Sequence, residues 1–300
     1  MRRQSAVAVS AAFLLGVAAL GSCGSREVPS RAASVDDLGD SIAIGSATLP
    51  SRIISLDPSV TEILFALGKG PQLIGRTHWD LFSDSARAIP DLGDGIRPNV
   101  EALLASRPDL VFLYASPENR DAARSLRAAG IGVVSLRIDH IADFGRVTAL
   151  IGRLTKRSER ARQVVDSVTA TLDRVRRATA TLPHPRVFLH AWESPLLTLG
   201  GGSFLSELVS IAGAENVFAD LPAPSPQVSF EEVMRRNPDA VLGGPQTTME
   251  LGRSARWQAL PAVRQGHVLV MDTLIVGKPS VRLGEAAVSL ARLFHPGVLE

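Results

Sequence analysis

Asp57, Pro58 and Ser59 follow a short β-branched run, "RIISL" at residues 52–56; His78, Trp79 and Asp80 follow a second, "QLIGRT"; Tyr114 ends a third, "DLVFLY". In the second half, Trp192 and Glu193 follow "RVFLHA", and Lys278 and Arg282 lie in "TLIVGKPSVR". Residues at the carboxyl ends of strands in an open α/β sheet face the crevice where ligands bind, so these positions are where chemistry is sought first. Ser59, His78 and Asp80 are hydrolase residue types, yet neither a G-x-S-x-G elbow nor an H-E-x-x-H helix is present. The six histidines include no H-x-x-H pair, which argues against a free zinc or manganese site. His78 could instead ligate a metal carried inside a ligand. Trp79 and Trp192, at matching strand ends, suggest flat walls for a bulky, largely apolar ligand, and Lys278 and Arg282 could attract its carboxylates or phosphates. "TLGGGSFLSELV" places glycines before a helix start but lacks the G-K-[ST] of a phosphate loop, so Gly201 is expected in a tight turn at the cleft floor.

Those strand ends need strands and helices to position them. "DPSVTEILFALG" follows the first strand with Ser59 and Glu62 at capping-box spacing and Ile63, Leu64 and Leu67 on one face. "VEALLAS", "DLVFLY", "ENRDAARSLRAAG" and "GVVSLR" continue the alternation, which predicts parallel strands with helices packed on them. The pattern restarts at Arg186 with "RVFLHA", "SFLSELVSIAG", "VSFEEVMRRNP", "DAVLGG" and "HVLVMD".

The restart is also a repetition. "VEALLASRPDLV" at residues 100–111 and "FEEVMRRNPDAV" at 230–241 carry a glutamate, a proline and an aspartate in register, and "EILFALG" at 62–68 is echoed by "ELVSIAG" at 207–213. Two pairs in the same order predict a duplicated α/β unit. Between the units, residues 158–182 contain neither glycine nor proline, and Ala161, Val164, Val165, Val168, Leu172 and Val175 recur at three- and four-residue steps. That is one long helix with an apolar stripe and solvated arginines elsewhere, about 35 Å of strut. Glu232, three residues after Ser229, fits a structural capping box.

The 300 residues suit two lobes. "MRRQSAVAVSAAFLLGVAALGSC" has a basic start, an apolar run from Ala6 to Leu20 and small residues after it, the organisation of a secretory signal peptide; the run is short for the roughly 20 residues of a membrane anchor. "LGSC" resembles the lipobox of bacterial lipoproteins, making Cys23 a lipidation site, and a chain with one cysteine forms no internal disulfide. Removing residues 1–22 takes away Arg2 and Arg3 and leaves 30 basic against 30 acidic side chains, which argues against a nucleic-acid partner. The expected organisation is a signal peptide over 1–22, a tether over 23–48 with a short strand around Ser41 to Leu49, an amino-terminal lobe over 49–155, a connecting helix over 156–182 and a carboxyl-terminal lobe over 183–300.

"RIISLDPSVTEILFALG", "VEALLASRPDLVF", the long central helix and "PQVSFEEVMRRNPDAV" together resemble the cobalamin and iron-complex substrate-binding proteins of ABC importers, over residues 35–295. The resemblance implies an α/β fold of two Rossmann-like lobes with central parallel sheets, joined by one backbone helix, with ligand in the cleft between them. It implies a monomeric periplasmic protein, lipid-anchored here through Cys23, that captures a corrinoid, or else a ferric siderophore or haem, and delivers it to a permease and ATPase complex. No catalytic residue and no resident cofactor or metal are expected; the metal would belong to the ligand. Asp57, Ser59, His78, Trp79, Asp80, Tyr114, Trp192, Glu193, Gly201, Lys278 and Arg282 are the candidate ligand-binding residues. Glu101 and Glu231 match the family's two glutamates that dock into arginine clusters on the permease.

Overall fold

A computed structural model describes residues 35–42 and 49–299. The signal peptide, Cys23 and most of the expected short strand at 41–49 lie outside them; within the described part, Val35 and Ser41 form an isolated antiparallel bridge.

The first lobe runs β1 (Ile53–Leu56), α1 (Pro58–Ala66), β2 (Leu73–Gly75), α2 (Asp84–Arg87), α3 (Val100–Ala105), β3 (Leu110–Tyr114), α4 (Arg120–Ala128), β4 (Gly132–Leu136) and α5 (Ile141–Leu154). Its four strands are all parallel, in the order β2-β1-β3-β4. The long helix α6 (Ser158–Thr179) follows; its 22 residues span about 33 Å. The second lobe begins with β5 (Arg186–Trp192), β6 (Leu197–Thr198), α7 (Phe204–Ile211), β7 (Glu215–Asn216), α8 (Phe230–Arg236) and β8 (Ala240–Gly243). It ends with α9 (Pro245–Arg253), α10 (Ala255–Gln258), α11 (Pro261–Arg264), β9 (Val268–Val270), α12 (Thr273–Val276) and α13 (Leu283–Phe294). Its sheet is ordered β6-β5-β8-β9 with β7 beside β5, parallel except for the antiparallel β6.

Alternation along the strands sends each sheet's residues to different clusters, as expected of parallel strands buried on both faces. Ile53, Leu110 and Phe112, with Val187, Leu189 and Leu242 of the second lobe, enter one cluster that also contains Ala161, Val164, Val168, Leu172 and Val175 of α6. Ile54, Val111 and Leu113 turn to a separate cluster in the first lobe, and Phe188 and Val241 to another in the second, around Trp257. The strut's stripe is therefore the middle of a core shared by both lobes.

The repeated Pro-Asp has a local purpose. Asp109 accepts hydrogen bonds from the backbone N–H groups of Ser51 (2.8 Å) and Arg52 (2.9 Å), pinning the start of β1. Asp239 does the same for β5 through Arg186 N–H at 2.8 Å. The two expected capping boxes are corrected. Asp57, not Ser59, caps α1, accepting from Ser59 N–H at 2.8 Å with Pro58 in the first turn, and Glu62 is wholly buried instead of turning back to the cap. Ser229 does cap α8 through Glu232 N–H, but the Glu232 carboxylate is held by Arg235 and Arg236.

Helices α5 and α6 meet so closely at Gly152 that a Cβ there would lie 2.5 Å from the Ala161 Cβ. Alanine normally favours a helix over glycine by up to about 1 kcal/mol. Gly152→Ala should instead destabilise by about 1–3 kcal/mol, because the strut must be displaced, and urea unfolding would measure the reversed sign. The buried Asp57 offers a second test. Desolvation raises its carboxyl from 3.8 to about 6 against the pull of the Ser59 and Val60 N–H groups. A native pKa above the unfolded one means the folded chain holds the proton more tightly, so stability should fall as pH rises from about 4 to about 6. Asp57→Asn, which keeps the capping acceptor, should lose that slope and gain about 1–3 kcal/mol at pH 7 in denaturant titrations against the unaltered protein.

Candidate functional site

The carboxyl ends of β5 and β8 open onto a cavity of about 870 Å³. Its wall is contributed by β5 and the turn after it, by the start of α7, by the β8–α9 junction and by the segment around α12. β5 supplies His190 and Trp192; the turn that follows supplies Glu193. His190 is 5% exposed and held on both sides: its Nε2 is 2.9 Å from Glu193 Oε2 and its Nδ1 3.3 Å from Thr247 Oγ1. Trp257 Nε1 donates to Glu193 Oε1 at 3.1 Å, and Arg256 stands 3.9 Å from the same oxygen without lining the cavity. The Glu193 carboxylate is thus fixed by an indole and an imidazole at the cavity edge. Trp192 remains 62% exposed, its Nε1 turned to the Ser194 carbonyl, so its ring is available to a ligand face.

Among the described residues no lysine or arginine lines this cavity, whereas Glu193 and Glu250 do, with Gln246, Thr247, Ser203 and Thr273 as neutral polar groups. Nor does any group of three or more His, Cys, Asp or Glu side chains among them have the disposition of a metal site.

The sequence-derived candidates divide. Trp192 and Glu193 line the cavity; the others do not. Trp79 is 57% exposed, its ring tilted 56° to that of His78 with centroids 4.5 Å apart. It follows β2, whereas Trp192 ends β5, whose counterpart in the first lobe is β1, so the two tryptophans do not occupy matching strand ends. Tyr114 donates its hydroxyl to Asp139 Oδ1 at 2.8 Å, and burial pushes the phenol up to about 12. Asp57 and Ser59 belong to the cap of α1. Asp80 is buried and accepts from Thr77 N–H (2.8 Å) and Thr77 Oγ1 (2.7 Å); burial lifts its pKa, and its Oδ1 has no hydrogen-bond partner. Ser59, His78 and Asp80 share no hydrogen bond, so the hydrolase residue types are not assembled.

Lys278 and Arg282 face other charges instead of the cavity. Lys278 Nζ is 3.1 Å from Glu62 Oε1, and Arg282 Nε donates to Glu285 Oε2 at 2.7 Å. Gly201 lies in a tight turn, as expected, but not at the cleft floor: a Cβ on it would stand 2.2 Å from the Ala219 carbonyl oxygen, so it lets the turn pack on the 219–224 loop. Sequence reading missed His190, Gln246, Thr247 and Thr273. His190 lies in β5, and Gln246 and Thr247 follow β8 in the first turn of α9, so the strand-end rule reaches them once the limits of β5 and β8 are known.

Glu101 and Glu231 occupy the first turns of α3 and α8, are exposed, and form no ion pair among the described residues. Hydrogen bonding at the helix start holds Glu231 below the usual carboxylate range.

Comparison with known proteins agrees with this architecture. The vitamin B12-binding protein of Pectobacterium atrosepticum is 32% identical over 216 residues, covering 70% of this chain and 77% of that one. The crystal structure of the periplasmic vitamin B12 binding protein BtuF of Vibrio cholerae superposes with a TM-score of 0.72 at 24% identity, over 81% of this chain and 96% of the other. The periplasmic heme-binding protein RhuT of Roseiflexus superposes with a TM-score of 0.74 at 22% identity, over 82% and 98%. At those identities the two structures speak to the fold: two lobes with a cleft between them. The sequence pattern described as "Periplasmic binding protein" matches residues 53–273, and with it the strands, the strut and the cavity; the chain belongs to that family.

Proposed function

We propose that this chain is a lipid-anchored substrate-binding protein of an ABC importer, exported to the periplasm, whose cleft takes a corrinoid. The observation that carries the ligand class is the charge of the cavity wall: Glu193 and Glu250 line it, with no lysine or arginine among its described residues. Haem propionates or the carboxylates and catecholates of a siderophore would meet carboxylates without cationic relief, a costly desolvation. A corrin ring is broad and flat, and its rim carries neutral carboxamides whose N–H groups can donate to Glu193, Gln246 and Thr247. The exposed Trp192 ring suits a face of the macrocycle, and Trp79 and His78 on the first lobe are proposed to meet it from the other side. Relatives named vitamin B12-binding proteins support the same reading.

Delivery is assigned to Glu101 and Glu231. Each is an exposed carboxylate with no ion-pair partner among the described residues, in the first turn of matching helices of the two lobes, while the neighbouring Glu232 is taken up by Arg235 and Arg236. One duplicated helix per lobe offers one acid per lobe, which suits a permease built with twofold symmetry. Cys23, at the lipobox-like "LGSC", is proposed to carry the acyl chains.

Titration of the purified protein with cyanocobalamin, cobinamide, haem and ferric siderophores, followed by visible absorbance, tests the ligand class. Saturation by the corrinoids alone is expected, with Trp192→Ala and Glu193→Gln each weakening cyanocobalamin about tenfold, or roughly 1.4 kcal/mol. Saturation by haem or a siderophore without a corrinoid response would overturn the assignment. Glu101→Ala combined with Glu231→Ala should leave cyanocobalamin affinity within about twofold while lowering cellular corrinoid uptake about tenfold or more, since the rim charges act on the permease and not on the ligand.

A further inference from the structure

The second repeated pair, "EILFALG" and "ELVSIAG", does more than close two helices. Each ends in a glycine with positive φ, +72° at Gly68 and +83° at Gly213, which aligns Glu62 of α1 with Glu207 of α7. These glutamates point to opposite lobes. Glu62 leaves the first lobe to meet Lys278 Nζ at 3.1 Å and to accept from Ser280 Oγ at 2.5 Å, in the segment leading into α13. Glu207 leaves the second lobe to meet His140 Nδ1 at 2.6 Å and to accept from Ile141 N–H at 3.3 Å, at the start of α5. Helices α5 and α13 are the counterparts that pack on the strut from the two sides. Beside the second contact, Phe204 N–H donates to the Asp139 carbonyl at 3.1 Å.

The two crossings differ in water and in chemistry. The Glu62 side chain is 0% exposed and Lys278 17%, a dry ammonium–carboxylate pair. His140 is 50% and Glu207 34% exposed, and imidazole changes charge near neutrality. We propose that Glu62 and Glu207 are two copies of one positioning residue that latch the lobes together reciprocally, the Glu62 arm permanent and the Glu207 arm weakened when His140 loses its proton. Lobe spacing, and with it the distance between the Trp79 and Trp192 strand ends, would then respond to pH through one arm only.

The charges around His140 favour the held state. Its own segment carries Asp139 and Asp143; Arg137 stands 3.7 Å from Asp139 and Arg146 3.1 Å from Asp143, with Asp37 2.8 Å from Arg146. From the strut, Asp173 and Arg176 pair with each other at 2.5 Å beside Ile141 and Ala142. From the second lobe comes Glu207, which shares a surface pocket with His184 and Glu215. The hydrogen bond that the protonated His140 Nδ1 donates to Glu207 Oε1 is the largest influence and, with the nearby carboxylates, raises the His140 pKa from its ordinary value. A raised imidazole pKa means the arm contributes fully below about 6.5 and is lost as pH climbs through the native value.

Amide hydrogen exchange on the ligand-free protein tests this independently of what the cleft binds, so its failure would leave the corrinoid reading standing. With intrinsic rates divided out, protection over residues 137–145 and 203–210 should drop severalfold between pH 6 and pH 8.5. His140→Gln and Glu207→Gln should already show the looser state at pH 6 and no further drop. Lys278→Gln should lower protection by the same factor at both pH values; if it does not fold, Ser280→Ala serves in its place. Unchanged protection of the unaltered protein across that range, or a drop that persists in His140→Gln, would overturn the proposal.

Discussion

The architecture depends on one constraint: the apolar stripe of α6 is buried from both sides at once. Val164, Val168, Leu172 and Val175 belong to the same cluster as Ile53 and Phe112 of the first sheet and Val187 and Leu242 of the second. A hinge built from flexible strand crossings can bend without disturbing either core, whereas this connector cannot tilt far without exposing hydrophobic surface at about 25 cal/mol per Å². The buried strut therefore favours largely preformed faces on the two lobes and predicts only small displacements about it. Close helix contact at Gly152 and the buried Glu62–Lys278 pair are consistent with that stiffness.

The two lobes repeat one α/β plan, but they are not equivalent. The cavity is walled by the second lobe, where His190, Glu193 and Trp257 form one hydrogen-bonded and aromatic group beside Thr247. At strand ends in the first lobe, Asp57 caps a helix and Asp80 folds back on Thr77, so their polarity serves local structure. The first lobe contributes the exposed Trp79 with His78 beside it. On the proposed function, recognition would be divided between a polar wall that can orient and an aromatic wall that can cover.

Much of the fold was legible because the relevant signals are local. β-branched runs followed by capped helices marked strands β1, β3, β4, β5 and β8, and the glycine-free stretch with three- and four-residue apolar steps marked α6. The helices α5 and α13, which clamp the strut, and the series α9 to α12 between β8 and α13 were not singled out. Buried positions in α5 include Phe144, Val147, Thr148, Leu150, Ile151 and Gly152, a face broader and more mixed than a simple stripe. Site residues fared according to the range of their partners. Trp192 and Glu193 follow from their strand end, whereas the roles of Lys278 and Glu62 depend on a contact between segments like Ser280 and Glu62, 218 residues apart, for which no local pattern exists.

Reciprocity of the Glu62 and Glu207 crossings has a geometric meaning. In a twofold homodimer, residue i of one subunit meets residue j of the other and j meets i in return. Here a single polypeptide keeps that relation between its halves, each glutamate reaching the approach to the other half's flanking helix. The two crossings keep that reciprocal form while differing in substance, one a dry lysine pair and the other a wet histidine pair.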